Sequence, residues 1–359
     1  MKILAMPGHI TDKGVTGVDY VRVIMPMKHL NGYKGIEVDI LTPRKDKYST
    51  VVTWNKRAQE YDIFYLNYNN NPKGFAAMGC MAKKWKKKIV TDLDDDLWNI
   101  KPDNTAYNIF KEGGDAIRVV TAIFNESDYL TCTSPYLKNV ICHNTTKKHE
   151  QVKVFPNYID LDLYQYRGKA KESHQITMLH YGSTSHFEDL LNDNFMEGMD
   201  KIMKEYPNVI FKTIGAFLPQ YRFRWGERYT HAYGSPNLYI WVKEKFPKFM
   251  EEADFIVTPL VEDIYTRCKS GIKFVECSSA KKPGVWQDIR QYNEIVTDGK
   301  NGFLAKSPDD WYQAMKKLIE DKELRQKMGE EAYETVVADW QIKDHLDDYA
   351  QFFKKILDK

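Results

Sequence analysis

Short apolar segments alternate with longer segments of helical periodicity along this chain, and the whole pattern occurs twice. The first series begins at residues 2–6 and ends near residues 153–155, and a second series begins at residues 176–181. Alternating strands and helices are typical of a parallel sheet covered by helices on both faces. The pattern therefore predicts an α/β protein with two Rossmann-like, doubly wound domains.

The predicted strands divide between the two series, with a boundary near residues 160–173. In the first series they lie at residues 2–6, 36–41, 62–66, 88–92, 128–133 and 153–155, and in the second at 176–181, 209–214, 255–258 and 284–286. A glycine-containing loop, residues 8–19, separates the first strand from a helical pattern over residues 21–30. The spacing between Gly14 and Gly17 does not fit Gly-x-Gly-x-x-Gly, which argues against a nicotinamide enzyme.

Composition limits the class of protein and its surroundings. The chain has 359 residues, of which 43% are hydrophobic, and this length suits two domains of ordinary size. A formal net charge of +2 does not indicate a polyanionic partner. Five unevenly spaced cysteines without a Cys-x-x-Cys pair indicate neither a disulfide framework nor a zinc site, so we expect a cytoplasmic location. No apolar stretch has the length of a signal peptide or a membrane span, although the protein can still rest on a membrane surface.

The segment CKSGIKFVE, residues 268–276, carries the strongest functional signal. A strand-like run, residues 255–260, precedes it. Lys269, Lys273 and Glu276 recur at helical spacing, so we expect all three to line one face of a single helix. A strand that leads into a helix N-terminus presents unpaired N–H groups and partial positive charge, to which lysines add for binding phosphate. A carboxylate two turns further on can accept hydrogen bonds from a ribose diol. The segment therefore predicts a site for a nucleotide diphosphate sugar.

The same segment is similar to the C-terminal domain of retaining GT-B glycosyltransferases of the group 1 type. Further segments of the resemblance are residues 155–160, 180–190, 280–285, 298–304, Trp311 and 318–337. The resemblance covers roughly residues 150–345 and implies two domains that face each other across a cleft. It implies an acceptor-side domain at 1–160, a nucleotide-sugar domain at 161–335, and a final helix at 336–359 that packs back on the first domain.

By this resemblance the expected activity is metal-independent transfer of a sugar, with retention, from a nucleotide diphosphate to an acceptor hydroxyl. No cofactor is expected, because the nucleotide sugar, most commonly a uridine diphosphate sugar in this family, is itself a substrate. Lys269 and Lys273 would stabilise the departing diphosphate, Ser270 would assist, and Glu276 would hold the ribose. The acceptor is left open between a glycan, a lipid-linked sugar and a modified base in nucleic acid.

One departure from the family pattern concerns a second glutamate. Such enzymes often carry two glutamates separated by seven residues, but the position eight before Glu276 is Cys268. Glu262 or Asp263 is a candidate to replace the missing carboxylate. The departure keeps two alternatives open: a catalytically silent GT-B protein that binds sugar nucleotides or acts as a scaffold, and an epimerase on the same fold.

An acidic turn follows the fourth predicted strand of the first domain. It contains Asp92, Asp94, Asp95 and Asp96, at the strand end where open α/β sheets bind ligands. These carboxylates can hold a divalent metal, orient an acceptor hydroxyl and cap a helix, or form a solvated turn. Because the lysines of the second domain already supply positive charge, we assign Asp94 and Asp95 to the acceptor or the transferred sugar and expect no metal.

Two glycine turns complete the predicted donor site. Gly182 and Ser183 follow the first strand of the second domain, where small residues and hydroxyls suit pyrophosphate. Gly17 belongs to the glycine loop of the first domain, where backbone can approach a ligand closely. Nearby, His186 and Asp189 can either assist this turn or cap a helix, and Arg22 can either reach a phosphate or, as is more usual, form a surface salt bridge.

A run of lysines, residues 83–88, has two interpretations. It can contact anionic lipid or nucleic acid, or it can form the solvated end of a helix before a buried strand, which the apolar pair Ile89 and Val90 favours.

Overall fold

The computed structural model describes residues 1–8, 14–41, 58–68, 79–102, 104, 106–167, 173–182 and 186–358. Its β-strands are β1 (Lys2–Met6), β2 (Glu37–Ile40), β3 (Ile63–Asn67), β4 (Lys88–Leu93), β5 (Tyr129–Cys132), β6 (Val152–Val154), β7 (Ile176–Gly182), β8 (Val209–Gly215), β9 (Tyr229–Ala232), β10 (Phe255–Thr258), β11 (Gly284–Gln287) and β12 (Phe303–Ala305).

Two six-stranded sheets organise these strands, and every recorded pairing in them is parallel. The first has the order β2-β1-β3-β4-β5-β6, and the second has the order β12-β11-β10-β7-β8-β9. Central strands such as β3 and β10 are buried along their whole length because helices cover both faces. Parallel strands need crossover connections, which the intervening helices provide. The predicted pair of doubly wound α/β units in a GT-B arrangement is confirmed.

Helices surround both sheets. They are α1 (Gly17–Asp19), α2 (Met25–Leu30), α3 (Tyr107–Phe110), α4 (Asp115–Glu126), α5 (Pro135–Asn144), α6 (Phe187–Leu190), α7 (Asp193–Glu205), α8 (Pro219–Trp225), α9 (Leu238–Ile240), α10 (Phe246–Glu252), α11 (Ile264–Cys268), α12 (Ile272–Ser279), α13 (Arg290–Asn293), α14 (Pro308–Glu320), α15 (Lys322–Asp339) and α16 (Leu346–Leu357). Two π-helical segments, Tyr20–Ile24 and Trp241–Lys245, join α1 to α2 and α9 to α10.

The last helix returns to the first sheet, as predicted. Just before it, the backbone N–H groups of Ile159 and Ile342 donate to the carbonyls of Trp340 and Ile159 at 2.9 and 3.0 Å. On α16, the ring of Tyr349 stacks on Phe155 with centroids 3.8 Å apart. The apolar face of α16 thus covers the first sheet and ties the end of the chain to the segment that joins the two sheets.

Two strands were not predicted from the sequence. β9 reads Tyr-Thr-His-Ala, and β12 has three residues. Both lie at the edges of the second sheet, where one side of a strand has no partner strand and the apolar pattern weakens. Their formation depends on pairing with β8 and β11, which are distant in sequence.

The lysine run occupies a helix end before a strand, in agreement with the second of its two interpretations. Residues 79–84 are helical, Lys86 has a left-handed φ of 52°, and β4 begins at Lys88. Lys83 and Lys88 form ion pairs with Glu126 and Asp128. In the part of the chain that the structure describes, no helix combines the length and apolar character needed to cross a bilayer.

Candidate active site

The carboxyl ends of both sheets meet at a cleft that contains a cavity of about 390 Å³. β7 ends at Gly182 and β8 at Gly215, while Gly17 reaches the cavity from the first domain. The lining residues are Gly17, Tyr181, Gly182, Ile214, Gly215, Gly234, Ser235, Pro236, Leu238, Trp241 and Glu276. The structure therefore brings together three of the predicted donor-site residues, Gly17, Gly182 and Glu276.

Glu276 lies on α12 with two tyrosine hydroxyls directed at its carboxylate. Tyr164 donates to Oε1 at 2.5 Å, and Tyr181 donates to Oε2 at 2.8 Å. Burial raises the pKa of Glu276, while the two hydroxyls act against this shift because they stabilise the charged form. The carboxylate is thus held in a fixed orientation at the cavity wall, with lone pairs left for a further donor such as a ribose hydroxyl.

A hydrogen-bonded chain fixes Lys273 one turn before Glu276. The Lys273 ammonium lies 2.9 Å from Nε2 of His186, and Nδ1 of His186 lies 2.7 Å from Oδ2 of Asp189. Burial and the nearby Lys273 charge lower the pKa of His186 well below its usual value, so the ring is neutral. A neutral ring that donates from Nδ1 to Asp189 has a lone pair on Nε2 that accepts from Lys273.

These hydrogen bonds change the interpretation of His186 and of the turn before it. Asp189 also accepts a hydrogen bond from the Val261 N–H at 2.8 Å. This bond anchors the hydrogen-bonded series Lys273–His186–Asp189 to the loop after β10. At Gly182 a Cβ atom would lie 2.5 Å from the His186 ring, so the close approach requires glycine there. The His186 side chain therefore positions Lys273 and makes no capping hydrogen bond to α6, which begins directly after it. Ser183, the neighbouring predicted residue, lies outside the described residues.

Lys269 lies before α12 and not on it, which corrects the prediction that Lys269, Lys273 and Glu276 share one helix. α12 begins at Ile272, and Lys269 has extended backbone angles after the short helix α11. Its ammonium lies 3.8 Å from Oδ2 of Asp95 and 4.6 Å from the centre of the Tyr265 ring. Burial opposes its charge, but Asp95 and Tyr265 outweigh this effect and raise the pKa of Lys269. Lys269 thus carries a permanent positive charge at the cleft.

Contacts from a later segment explain why the helix is interrupted. The Arg290 guanidinium donates to the carbonyls of Arg267 and Lys269 at 2.8 and 2.6 Å, which takes up acceptors that a continuous helix would use internally. At Gly271 a Cβ atom would lie 2.6 Å from the Ile295 side chain and 2.8 Å from the Gln291 carbonyl. The break is therefore fixed by residues that follow it by about twenty positions.

Asn157 joins the two domains across the floor of the cleft. Its Nδ2 atom donates to Oγ of Ser270 at 2.8 Å and to Oδ1 of Asp94 at 3.1 Å. The side-chain oxygen of Asn157, Oδ1, accepts a hydrogen bond from Nη1 of Arg22 at 2.8 Å. Partial burial, followed by the neighbouring Asp95 charge, raises the pKa of Asp94. The predicted residues Asp94, Asp95, Lys269 and Ser270 are thus brought to one place.

Arg22 is buried, which corrects the expectation of a surface salt bridge. Its Nε and Nη2 atoms donate to the two carboxylate oxygens of Asp92 at 3.0 and 2.6 Å, and Nη1 donates to the Phe155 carbonyl at 2.7 Å. The exposed fractions of the two side chains are 2% and 0%. Asn67 and Thr131 also donate to Asp92 at 2.9 and 2.6 Å. Asp92 therefore supports the turn that carries Asp94 and Asp95, and it does not face the cleft.

Asp96 closes the turn that follows β4, where no helix begins, so the predicted capping role is not what its side chain does. It accepts from the backbone N–H groups of Trp98 and Asn99 at 2.8 and 3.2 Å and from Nδ2 of Asn99 at 2.7 Å. Cys268, at the position of the missing glutamate, is buried with its Sγ 3.6 Å from Oδ2 of Asp96. This position contributes to the contact between the domains.

The two carboxylates proposed as replacements for the missing glutamate have other partners. Glu262 forms an ion pair with Arg267, and Asp263 caps α11 and lies 2.6 Å from Nζ of Lys101. The carboxylate nearest to Lys269 comes instead from the first domain, at Asp95. A contact of Glu262 or Asp263 with the transferred sugar therefore stays a prediction.

The first-domain glycine loop packs directly on the second domain. The Leu238 N–H donates to the Val15 carbonyl at 2.9 Å, and a Cβ atom on Gly14 would overlap the Asn237 side chain at 2.1 Å. Gly14 also has a φ of 116°, which other residues rarely adopt. Together with Gly17, this loop closes one side of the cavity.

Sequence reasoning did not assign Tyr164, Tyr181 or Asn157 to the site. Asn157 and Tyr181 lie in segments that resemble the family, and Tyr164 follows one of them. The residues next to a tyrosine in the sequence do not show whether its hydroxyl binds a glutamate or its ring packs in the core. Among the described residues no group of three or more His, Cys, Asp or Glu side chains is arranged to hold a metal ion.

Comparison with known proteins finds similarity within the second domain. Residues 196–335 match the family model described as glycosyl transferases group 1. Alpha-D-kanosaminyltransferase of Streptomyces kanamyceticus is 28% identical over 89 residues, which are 24% of this chain and 23% of that protein. An uncharacterized glycosyltransferase of Methanocaldococcus jannaschii is 31% identical over 93 residues, 25% of each chain. The matched stretches thus span about a quarter of these curated relatives.

Solved structures extend the likeness to the whole chain. The crystal structure of Anabaena HepE in complex with UDP and glucose has a TM-score of 0.68 at 16% identity and covers 99% of both chains. Sucrose-phosphate synthase from Thermosynechococcus elongatus has a TM-score of 0.62 at 15% identity, covering 99% of this chain and 98% of that one. This chain therefore has the GT-B fold of these structures, and residues 196–335 are similar to the glycosyl transferases group 1.

Proposed function

We propose that this protein is a glycosyltransferase that moves a sugar from a nucleotide diphosphate donor to an acceptor hydroxyl in the cleft. The observation that carries the proposal is the convergence of Glu276, Gly182 and Gly17 on one cavity, with Lys273 one turn away on the same helix as Glu276. A small cavity with apolar walls and a buried carboxylate suits a nucleoside, and the adjoining ammonium groups suit its diphosphate. The UDP bound in HepE favours uridine as the base.

Stabilisation of the leaving group is the proposed source of catalysis. Breaking the bond between sugar and phosphate places negative charge on the diphosphate, so cations aimed at that charge lower the barrier more than they stabilise the bound donor. Lys269 and Lys273 supply this charge, and no metal is assigned a step. Asp94 and Asp95 face them from the first domain and are placed to contact the acceptor hydroxyl or the transferred sugar.

The finer features of the reaction rest on the family resemblance. We propose retention of configuration, with attack from the face that the diphosphate leaves and with a donor phosphate oxygen taking the proton of the acceptor hydroxyl. Direct observation of the anomeric product by proton NMR tests this, since an inverted product would exclude it. We also propose a cytoplasmic location, in keeping with free cysteines at positions 80, 132, 142, 268 and 277.

The Glu276→Ala variant should bind the nucleotide diphosphate donor at least ten-fold more weakly than the wild type. A hydrogen bond to a charged group contributes roughly 1.5–3 kcal/mol, and the substitution also leaves the hydroxyls of Tyr164 and Tyr181 without their acceptor. Isothermal titration calorimetry with UDP and UDP-sugars measures the effect. Glu330→Ala, at an exposed glutamate on α15, is the matched control, and equal affinities of all three proteins would refute the ribose site.

The kcat/KM of the free enzyme should fall as pH rises through about 8. Burial, followed by the charge of Lys269, lowers the pKa of Lys273 to about 8, so its cationic form is present below that pH and is lost above it. Bound diphosphate favours the cation, so the corresponding fall in kcat should occur at higher pH.

The Lys273→Arg variant shows whether the alkaline fall in kcat/KM comes from deprotonation of Lys273 or of another group. Arginine stays charged throughout the accessible range, so the alkaline fall in kcat/KM should disappear even where the overall rate is lower. A wild-type profile that is level up to pH 9.5, or a fall retained in Lys273→Arg, would show that Lys273 does not act as a titrating cation.

A further inference from the structure

We infer that a second cavity, beside Trp98, is an acceptor subsite that takes an uncharged sugar unit of an oligosaccharide. This inference rests on the proposed function and specifies the class of acceptor. The cavity has a volume of about 580 Å³ and lies between the turn after β4, the residues before α4, one face of α5 and the start of α11. Its lining includes Trp98, Asn99, Tyr136, Asn139 and Ile264.

The chemistry of the lining fits a neutral sugar ring. Trp98 and Tyr136 present aromatic surface, on which the apolar face of a sugar can pack, and Asn99 and Asn139 present amides that both donate and accept hydrogen bonds. The described lining residues include no lysine or arginine, and the ionisable side chains among them are Glu112 and His143. A carboxylate beside the amides can accept from sugar hydroxyls but does not favour a phosphate group or an anionic lipid. Mixed aromatic and amide surface therefore favours a carbohydrate over an anionic ligand.

The position of the cavity links it to the reaction centre. Trp98 follows Asp95 by three residues, so their Cα atoms lie at most about 11 Å apart. Ile264 precedes Lys269 by five residues, most of them in α11, which corresponds to about 8 Å along the chain. A hydroxyl placed between Asp95 and Lys269 can thus belong to a sugar whose next unit occupies the cavity.

The walls of the cavity are held in place by contacts on their far side. Nε1 of Trp98 donates to Oγ1 of Thr121 at 3.1 Å, and the indole ring meets Phe124 edge-on with centroids 5.9 Å apart. The Trp98 N–H donates to Asp96 at 2.8 Å. The indole is therefore oriented before any ligand binds, which reduces the entropy lost on binding.

The second domain contributes Ile264, whose side chain is 48% exposed although it is apolar. Because Ile264 lies on the helix that leads to Lys269, the subsite is complete only when the two domains are together. Occupation of this subsite would place the acceptor against both domains at once, next to the lysine that stabilises the leaving group.

Glycan binding tests the inference separately from donor chemistry. The probes are maltose, cellobiose, lactose and their trisaccharide homologues, with glucose 6-phosphate as a charged comparison, and saturation-transfer NMR measures binding to the full chain. Asn139→Arg fills the cavity from an exposed position of α5, and Glu150→Arg places the same side chain at an exposed position outside it. Circular dichroism and thermal unfolding check that both variants fold.

The expected result is binding of at least one neutral oligosaccharide to the wild type and to Glu150→Arg, with affinity lowered at least ten-fold in Asn139→Arg. The inference is overturned if none of the neutral sugars binds, if Asn139→Arg binds them as the wild type does, or if only glucose 6-phosphate binds. If the wild type does not bind UDP-sugars, the result counts against the proposed donor site, whether or not the glycans bind.

Discussion

Lys269→Ala should lower kcat about a hundred-fold to a thousand-fold, the range seen when one preorganised donor to a developing negative charge is removed. The pKa of Lys269 is raised by Asp95 and Tyr265, so Lys269 is charged at every working pH. The loss should appear in kcat as well as in donor affinity, because the charge on the diphosphate grows as the bond to the sugar breaks.

Initial-rate kinetics on donor hydrolysis measure this effect without knowledge of the acceptor. Lys300→Ala is the matched control, because Lys300 is a highly exposed lysine of the second domain that pairs only loosely with Glu331, at 3.6 Å. A Lys269→Ala enzyme that keeps more than a third of the wild-type kcat would show that leaving-group stabilisation comes from elsewhere.

Arg22→Ala should destabilise the folded protein by about 3–5 kcal/mol, since the substitution leaves the Asp92 carboxylate buried without its ionic partner. The same guanidinium holds the Phe155 carbonyl and Asn157, so the turn that carries Asp94 should also lose its fixed position. Urea denaturation followed by circular dichroism gives the change in the free energy of unfolding.

Two further variants test whether the loss of stability comes from the buried Arg22–Asp92 ion pair. Arg118→Ala removes an exposed arginine that pairs with Asp115 on α4 and should change stability by no more than about 0.5 kcal/mol. Arg22→Ala combined with Asp92→Asn should be less destabilised than the sum of the two single variants, because no buried charge is then left unpaired. A loss below about 1 kcal/mol in Arg22→Ala would contradict the buried ion pair.

The fold was predictable because its central strands are buried on both faces. β10 reads Phe-Ile-Val-Thr and β3 Ile-Phe-Tyr-Leu-Asn, apolar runs that indicate strands of a parallel sheet without knowledge of their neighbours. The edge strands β9 and β12 have short or mixed sequences, and they form because a neighbouring strand offers hydrogen bonds. That information lies in the assembled sheet and not in their own residues.

The site was predictable where one segment carries the chemistry and not where distant residues decide the geometry. The sequence indicates residues 268–276 and the glycine turns as candidates, but the helix break before Ile272 depends on Arg290. The burial of Arg22 depends on Asp92, seventy positions later. The tyrosines on Glu276 are Tyr164 and Tyr181, which precede it by 112 and 95 positions. Residue spacing in the sequence does not predict contacts between positions so far apart.

The central claim, that the cleft binds a nucleotide diphosphate sugar through its lysines, is tested most directly by calorimetric titration. Nucleoside diphosphates and UDP-sugars are titrated into the wild type and Lys269→Ala, first with EDTA and then with Mg²⁺. We expect selective binding to the wild type in EDTA and at least ten-fold weaker binding to the variant. Failure of every nucleotide to bind, with or without Mg²⁺, would contradict the donor site and would favour a scaffold role for this GT-B fold.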